Sequence, residues 1–194
     1  MPNTNKPFGL KAVGLMQGAC ANFMLRKYLV PATDSTVIYI GDPVKLAGSA
    51  GQLNPDDVFY PTVTKSGIGD VVVGVVVGVQ PIPTNLNLNY RAASTAMYVY
   101  VNVDPDTIYE IQADSNASWA VTDVGLNCPI VLSTGSTATG VSNAVANRTG
   151  IAATNTLDLA IVGLSPAPDN ETGAFTRLLV RLNKHQYVNG ATGL

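Results

Sequence analysis

One histidine and two cysteines are the residues whose types could form a nucleophile–base pair. His185 could act as a general base toward Cys20, Cys128 or a serine, because a neutral imidazole can accept the proton of a thiol or hydroxyl. Neither a G-x-S-x-G motif nor a catalytic-cysteine signature accompanies them. A single histidine near the end of the sequence is more typical of a packing or surface residue, so we predict no catalytic residues.

Metal and phosphate chemistry also lack a recognisable pattern. A zinc site needs about four cysteine or histidine ligands, and this chain has three in total, far apart. Asp104 and Asp106 flank a proline, and Asp56 and Asp57 are adjacent, but neither pair follows the spacing of a calcium loop. Residues 67–70 (GIGD) are not followed by the GK[ST] of a phosphate loop. The sequence therefore predicts no metal and no cofactor.

The composition indicates a folded chain with few charges. Of its 194 residues, 12% are charged and 46% are hydrophobic, and the net charge is -2. About 25% charged residues is usual, so much of the surface should be neutral, which suits contacts between subunits. The basic residues are scattered and form no stripe for phosphates, so we expect no nucleic-acid partner.

The elements that would position any site are β-strands. Residues 71–79 contain only valine and glycine, and β-branched valine favours strands. Strand alternation places the odd-numbered valines on one face and Gly74 and Gly78 on the other. We predict a strand buried on both sides whose glycines allow another backbone to approach closely. A GxxxG membrane helix would need about 20 apolar residues, and Gln80 and Pro81 end this run, so we expect no membrane partner.

Further alternating runs favour an all-β protein. The 107–112 run should return on 97–103 as the second arm of a hairpin, and the polar segment 133–156 should form a weak hairpin or an exposed excursion. A helix of three turns is not indicated anywhere. We predict a single β-barrel or β-sandwich domain. The runs lie at 36–40, 97–103, 107–112, 157–162 and 175–182.

The first 25 residues lack a regular period but are rich in large apolar side chains. We interpret residues 1–25 as an extended N-terminal arm, 26–188 as the β-rich domain and 189–194 as a C-terminal tail. Burying each large side chain against a partner would yield roughly 1.5–3 kcal/mol, so deletion of residues 2–24 should leave a folded body that no longer docks. The predicted interface residues are Phe8, Leu10, Val13, Leu15, Met16 and Phe23.

An export signal is not expected either. Glycines and a lysine interrupt the apolar stretch before Cys20, whereas a signal peptide needs an unbroken apolar core. Because nothing in the sequence indicates secretion, we expect Cys20 and Cys128 to stay unpaired.

Several short blocks, in order along nearly the whole chain, resemble the decoration (cement) proteins of tailed-bacteriophage capsids. The blocks are 5–10 (NKPFGL), 41–46 (GDPVKL), 74–78 (GVVVG), 91–95 (RAAST), 109–112 (YEIQ), 168–171 (PDNE) and 183–187 (NKHQY).

This resemblance implies a virion structural protein without enzymatic activity. Such a protein would sit on the capsid exterior after assembly in the host cytoplasm and clamp neighbouring subunits of the major capsid protein. It would be a homo-oligomer, with a trimer favoured and a dimer as the alternative.

Two other classes remain open. A carbohydrate- or receptor-binding β module of a phage particle would expose aromatic side chains along a groove, and Tyr98, Tyr100 and Tyr109 could do this or could pack across a hairpin. An enzyme whose site has no sequence motif is the second alternative.

Overall fold

The valine-rich run leads into one strand of a closed β-barrel. The fold comes from a computed structural model. Twelve strands form within the part of the chain that this structure describes, residues 3–18, 25–55, 58–83, 85–115 and 119–188. They are β1 (Lys11–Leu15), β2 (Leu25–Val30), β3 (Pro43–Gly51), β4 (Tyr60–Lys65), β5 (Gly74–Val79), β6 (Met97–Asn102), β7 (Thr107–Gln112), β8 (Asn127–Cys128), β9 (Ile130–Val131), β10 (Val145–Ala146), β11 (Leu159–Leu164) and β12 (Arg177–Leu182).

The barrel closes in the order β2-β4-β3-β5-β6 and back to β2. All its pairings are antiparallel except β2 with β4, which are parallel. Valines dominate the interior, as expected for β-branched side chains that fit a pleated surface. The buried interior residues are Tyr28, Val30, Ile38, Val44, Val63, Val73, Val76, Val99, Val101 and Val103.

Beside the barrel, the chain forms an antiparallel sheet in the order β1-β7-β12-β11-β8 and a two-stranded ribbon of β9 and β10. One face of the sheet covers its own hydrophobic core, which contains Tyr109, Ile111, Leu178, Val180 and the fully buried Trp119. The predicted all-β class, with a barrel or sandwich architecture, is confirmed. The described residues include one short 3₁₀ turn at Val121–Asp123, and no helix among them is long and apolar enough to span a membrane.

The predicted hairpin between 97–103 and 107–112 is wrong. β6 already pairs with β2 and β5 on its two sides, so it has no free edge for β7. The turn at residues 104–106 instead carries the chain from the barrel to the sheet, where β7 pairs with β1 and β12.

The face assignment within the valine run also needs correction. Val72 and Val75 lie in the core of the sheet, whereas Val73 and Val76 lie inside the barrel. Simple alternation would put Val73 and Val75 on the same face, so it fails at Gly74, the residue between them, whose φ is 157°. Val71 and Val77 are exposed, so the run is not buried throughout.

Residues 3–18 are part of the body rather than a separate arm. Leu10 is buried in the sheet core, and its amide donates a hydrogen bond to the Gly41 carbonyl at 3.0 Å. Gly9, with φ of 69°, allows this approach, because a Cβ there would lie 2.8 Å from the Gly41 oxygen. β1 then pairs with β7. The predicted boundary at residue 25 therefore does not separate an independent arm, and the tail 189–194 lies outside the described residues.

In two other segments, residues 36–40 and 133–156, the strand pairing or the burial differs from the prediction. Residues 36–40 form single bridges, Ile38 with Arg91 and Ile40 with Val141, instead of a continuous strand. The 133–156 segment contains β10, which pairs over two residues with β9. Because β9 lies before residue 133, this pairing is not the hairpin predicted within the segment. Ser142 and Ala144 are fully buried there, so this part of the segment packs on the body rather than projecting into solvent.

Candidate functional site

The candidate nucleophile and base are both buried, and no hydrogen bond joins them. Nδ1 of His185 accepts a hydrogen bond from the Tyr187 amide at 3.2 Å. Burial lowers the pKa of His185, while Asp104 opposes this shift and Arg181 adds to it. The Cys128 thiol is fully buried and free, and burial raises its pKa, which disfavours the nucleophilic thiolate. Cys20 lies outside the described residues.

The buried charges are engaged in structural contacts. The guanidinium of Arg91 is fully buried and donates hydrogen bonds to the carbonyl oxygens of Pro31, Asp34, Thr36 and Thr95, at 2.5 to 2.8 Å. Burial lowers its pKa, although arginine stays charged in proteins. Arg91 therefore holds the loop around residues 31–36 against the segment that follows the arginine.

A second buried charge joins the barrel to the 133–156 segment. The Asp42 carboxylate is fully buried and accepts hydrogen bonds from the Ser142 hydroxyl at 2.5 Å and from the Tyr39 amide at 2.9 Å. The Lys65 ammonium neutralises it at 2.9 Å. A buried carboxylate requires such partners to compensate for the loss of solvent. The contacts of Asp42 therefore serve the stability of the fold and do not indicate a catalytic or binding role.

The acidic pairs considered for calcium do not converge on a metal site. Asp104 accepts a hydrogen bond from the Asp106 amide at 2.9 Å, which is the turn geometry expected for this sequence. Asp56 and Asp57 lie outside the described residues. Among the residues that the structure does describe, no group of three or more histidine, cysteine, aspartate or glutamate side chains is placed to hold a metal ion.

The three tyrosines proposed for sugar binding do not form an exposed row. Tyr98 and Tyr109 are each 1% exposed, and Tyr100 is half-buried. The Tyr98 ring packs edge-on against Tyr60 and lies 3.8 Å from the Lys27 ammonium, while its hydroxyl accepts a hydrogen bond from the Leu53 amide. Tyr98 therefore stabilises the barrel and Tyr109 the core of the sheet, and the three rings do not line a groove.

The six predicted interface residues have different environments. Leu10 is in the sheet core, so its assignment to a partner interface is wrong. Phe8 and Leu15 are half-buried, and Phe23 lies outside the described residues. Val13 and Met16 remain 43% and 46% exposed. Two of the six side chains are thus available in large part for a partner.

Val13 lies at the rim of an apolar groove on the outer face of the sheet. The groove has a volume of about 490 Å³. It opens on the face opposite the sheet core, because Ile108 and Leu179 alternate with the buried residues of β7 and β12. Its lining is Val13, Gly14, Ile108, Glu110, Ser165, Pro166, Ala167 and Leu179.

The edge of this sheet is poorly suited to strand addition. β1 is an edge strand, and the register shift between Ala12 and Gly14 leaves Val13 as an extra, bulged residue. An exposed lysine, Lys11, lies two residues before it. A bulge and an edge lysine both discourage pairing with another strand. The surface therefore favours docking through side chains, with Val13 turned outward by the bulge.

Sequence reasoning missed the groove beyond Val13. Alternation along β12 turns Arg177 and Arg181 outward, and it also puts Leu179 outward between them. An apolar side chain between two outward arginines was the signal that could have been used. Pro166 and Ala167 had no such signal, because only the folded β11–β12 connection brings them to this face.

A second concave site lies where residues 3–8 meet the connection between β11 and β12. It is lined by Asn3, Thr4, Lys6, Phe8, Gln112, Asp169, Phe175 and Arg177. Sequence reasoning did not identify it, because its two walls are more than 160 residues apart in the chain.

The chain was compared with protein-family models, curated proteins and solved structures, and none of them matches it.

Proposed function

We propose that this protein is a structural component of a phage virion that binds the outer surface of the capsid and clamps neighbouring major capsid subunits. The observation that carries the proposal is the apolar groove beside the bulged edge strand, with Val13 exposed at its rim. The sequence blocks that resemble decoration proteins supply the kind of partner.

Side-chain docking at this face has a favourable energy. Covering a large apolar side chain yields roughly 1.5–3 kcal/mol when it becomes fully buried. Val13, Ile108 and Leu179 present such side chains on one face. An isolated groove of this size binds weakly alone, since association has its own entropic cost. Many copies on a lattice, each bridging two subunits, would gain from multivalency, which suits a homo-oligomer, as a trimer or a dimer.

Charged side chains around the groove would fix the orientation of docking. Glu110 lines it and accepts a hydrogen bond from the Ser165 hydroxyl at 2.5 Å. Arg181, on the same outward register as Leu179, lies 3.9 Å from Asp106. Rim charges of both signs contribute to specificity more than to affinity.

The abundance of the protein in purified particles tests its location. Phage particles from the source of the gene are purified on a density gradient, and this chain is quantified against the major capsid protein by mass spectrometry. We expect hundreds of copies per particle, released without loss of the DNA-containing shell. Its absence from particles, or a few copies confined to the tail, contradicts the proposal.

A pair of surface variants tests the docking face. Val13→Asp combined with Met16→Asp should abolish co-sedimentation with capsids that lack the protein, because the new carboxylates would be buried without partners. Val121→Asp is the control: Val121 is 68% exposed and lies in the 3₁₀ turn that precedes β8, the strand at the opposite edge of the sheet from β1. Equal capsid binding by both proteins would rule out the groove as the docking surface.

A further inference from the structure

The cleft between residues 3–8 and the β11–β12 connection is chemically unlike the apolar groove. Its volume is about 480 Å³, within the range of roughly 300–1,000 Å³ typical of small-molecule sites. It combines two aromatic rings with charged and hydroxyl groups. The side chains that would contact a ligand are Thr4, Lys6, Phe8, Asp169, Phe175 and Arg177.

One wall of this cleft is fixed in place by side-chain amides. The Asn3 amide nitrogen donates to the carbonyl oxygens of Glu171 and Ala174 at 2.7 and 3.0 Å, and its oxygen accepts from the Glu171 amide at 3.0 Å. Gln112, which is 2% exposed, accepts a hydrogen bond from the Lys6 amide and donates one to Asn5. The cleft is therefore preorganised, since both of its walls are held by specific bonds.

The other wall contains a strained residue. Phe175 has φ of 58°, in the left-handed region that a bulky L-residue rarely occupies. Its neighbour Thr176 maintains the turn by donating a bifurcated hydrogen bond to the carbonyls of Glu171 and Gly173. A glycine would adopt this conformation with less strain. Because backbone strain of this kind is concentrated at functional sites, we infer that the phenylalanine ring has a role in the cleft.

We propose that this cleft binds a saccharide that carries a carboxylate. The half-buried rings of Phe8 and Phe175 offer apolar surfaces for the C–H face of a sugar. Hydroxyl groups both donate and accept, and the cleft supplies both functions: Asp169 accepts, Thr4 does either, and Arg177 and Lys6 donate.

The charges select the acidic kind of sugar. Asp169 and Arg177 form an ion pair, whose hydrogen bond lowers the pKa of Asp169 and keeps it ionised. Lys6 adds a second positive charge to the lining, so the charged side chains sum to one net positive charge. A uronic or sialic acid would balance this charge, whereas a neutral hexose would not.

Ligand-observed NMR with matched sugars tests the proposal. The probes are the methyl glycosides of glucuronic acid, galacturonic acid and N-acetylneuraminic acid at millimolar concentration, each with methyl glucoside or methyl galactoside as the neutral comparison. We expect saturation transfer to at least one acidic glycoside and at least about tenfold weaker binding of its neutral counterpart. No transfer to any acidic glycoside, or equal binding of the neutral ones, overturns the proposal.

Variants separate the cleft from the rest of the molecule. Phe175→Gly removes the ring and relieves the left-handed strain, so it should lose sugar binding while its melting temperature is unchanged or higher. Phe59→Ala is the control, because this ring is 70% exposed on the barrel and should leave binding intact. Retained sugar binding by Phe175→Gly would refute the site. The inference is independent of capsid docking, since the Val13→Asp and Met16→Asp changes should leave sugar binding unchanged.

Discussion

Val75 and Val76 are adjacent in the chain and belong to two different hydrophobic cores, that of the sheet and that of the barrel. The Val76 amide donates to the Asp42 carbonyl, and its carbonyl accepts from the Gly41 amide. Gly41 also accepts the hydrogen bond from Leu10. The start of β5 is therefore where the barrel, the sheet core and the N-terminal segment meet, and its geometry is tightly constrained.

Gly74 should be the least replaceable glycine of the valine run. A Cβ there would lie 2.0 Å from the Asn102 carbonyl oxygen and 2.9 Å from the Val101 side chain. We expect Gly74→Ala to destabilise the protein by at least about 3 kcal/mol, because a closed barrel cannot open to accept it. Chemical unfolding measures the change.

Gly78→Ala is the matched control for Gly74. The nearest atom to its added Cβ is Cδ2 of Tyr100 at 4.0 Å. This substitution should change stability by no more than about 1 kcal/mol. Similar losses for both variants would show that glycine at 74 is not required by the approach of β6.

The buried Arg91 should not be replaceable by lysine. Lysine keeps the charge but has three donors on one nitrogen, so it cannot reach four carbonyl oxygens spread over two segments. We expect Arg91→Lys to cost at least about 3 kcal/mol, since a buried charge would lose hydrogen bonds. The exposed Arg26→Lys should stay within about 0.5 kcal/mol in the same thermal and urea unfolding assays. If Arg91→Lys lowers the stability by as little as Arg26→Lys does, Arg91 does not hold the loop around residues 31–36 in place through its four hydrogen bonds.

The positions of several strands could be predicted from the sequence, because they depend on the local pattern of residues. Alternation in 97–103, 107–112 and 175–182 correctly indicated strands, and the glycine–valine run correctly indicated a close backbone approach, at Gly74. Pairing partners could not be predicted in this way. A turn at 104–106 is equally compatible with a hairpin and with a crossing between two bodies, and the choice depends on which edges the other strands occupy.

The candidate sites were harder to predict than the strands, because they depend on tertiary contacts that a local sequence pattern does not contain. Val13 could be identified as an unexplained apolar residue, but Leu10, three positions earlier, looked identical in the sequence and is a core residue. Two features of the folded chain distinguish them, the hydrogen bond from the Leu10 amide to the Gly41 carbonyl and the bulge at Val13. The strain at Phe175 is likewise invisible in sequence, because nothing in its neighbours demands a left-handed conformation.

Stability should depend on pH through His185. Burial lowers its folded-state pKa below the unfolded value of about 6.5, so the unfolded state binds more protons between these two values. The stabilisation is therefore complete above about pH 6.5 and is lost as the pH falls toward the folded pKa. Protonation would also remove the Nδ1 acceptor of the Tyr187 amide. Urea unfolding from about pH 7.5 to 5.0 measures the slope in this range.

His185→Gln should flatten this pH dependence while lowering stability at neutral pH, because the amide cannot fill the imidazole's buried site. The depressed pKa values of Asp34, Asp70 and Asp123 act at lower pH, so these carboxylates contribute little to the slope above pH 5. An unchanged slope in the His185→Gln variant would assign the effect to other groups.

The N-terminal segment should behave as part of the folding unit. Leu10 is 3% exposed and contacts the sheet core, so Leu10→Ala leaves a cavity and should cost about 2–5 kcal/mol. Val13→Ala, at a residue that is 43% exposed, should cost no more than about 0.5 kcal/mol.

Deleting residues 2–24 removes Leu10 and β1 together and should leave β7 with an unpaired edge. The truncated protein should therefore unfold at a lower temperature than the full chain. Differential scanning calorimetry of the three variants measures this. Equal melting temperatures for Leu10→Ala and Val13→Ala, with a truncated form as stable as the full chain, would restore the interpretation of residues 1–25 as an independent arm.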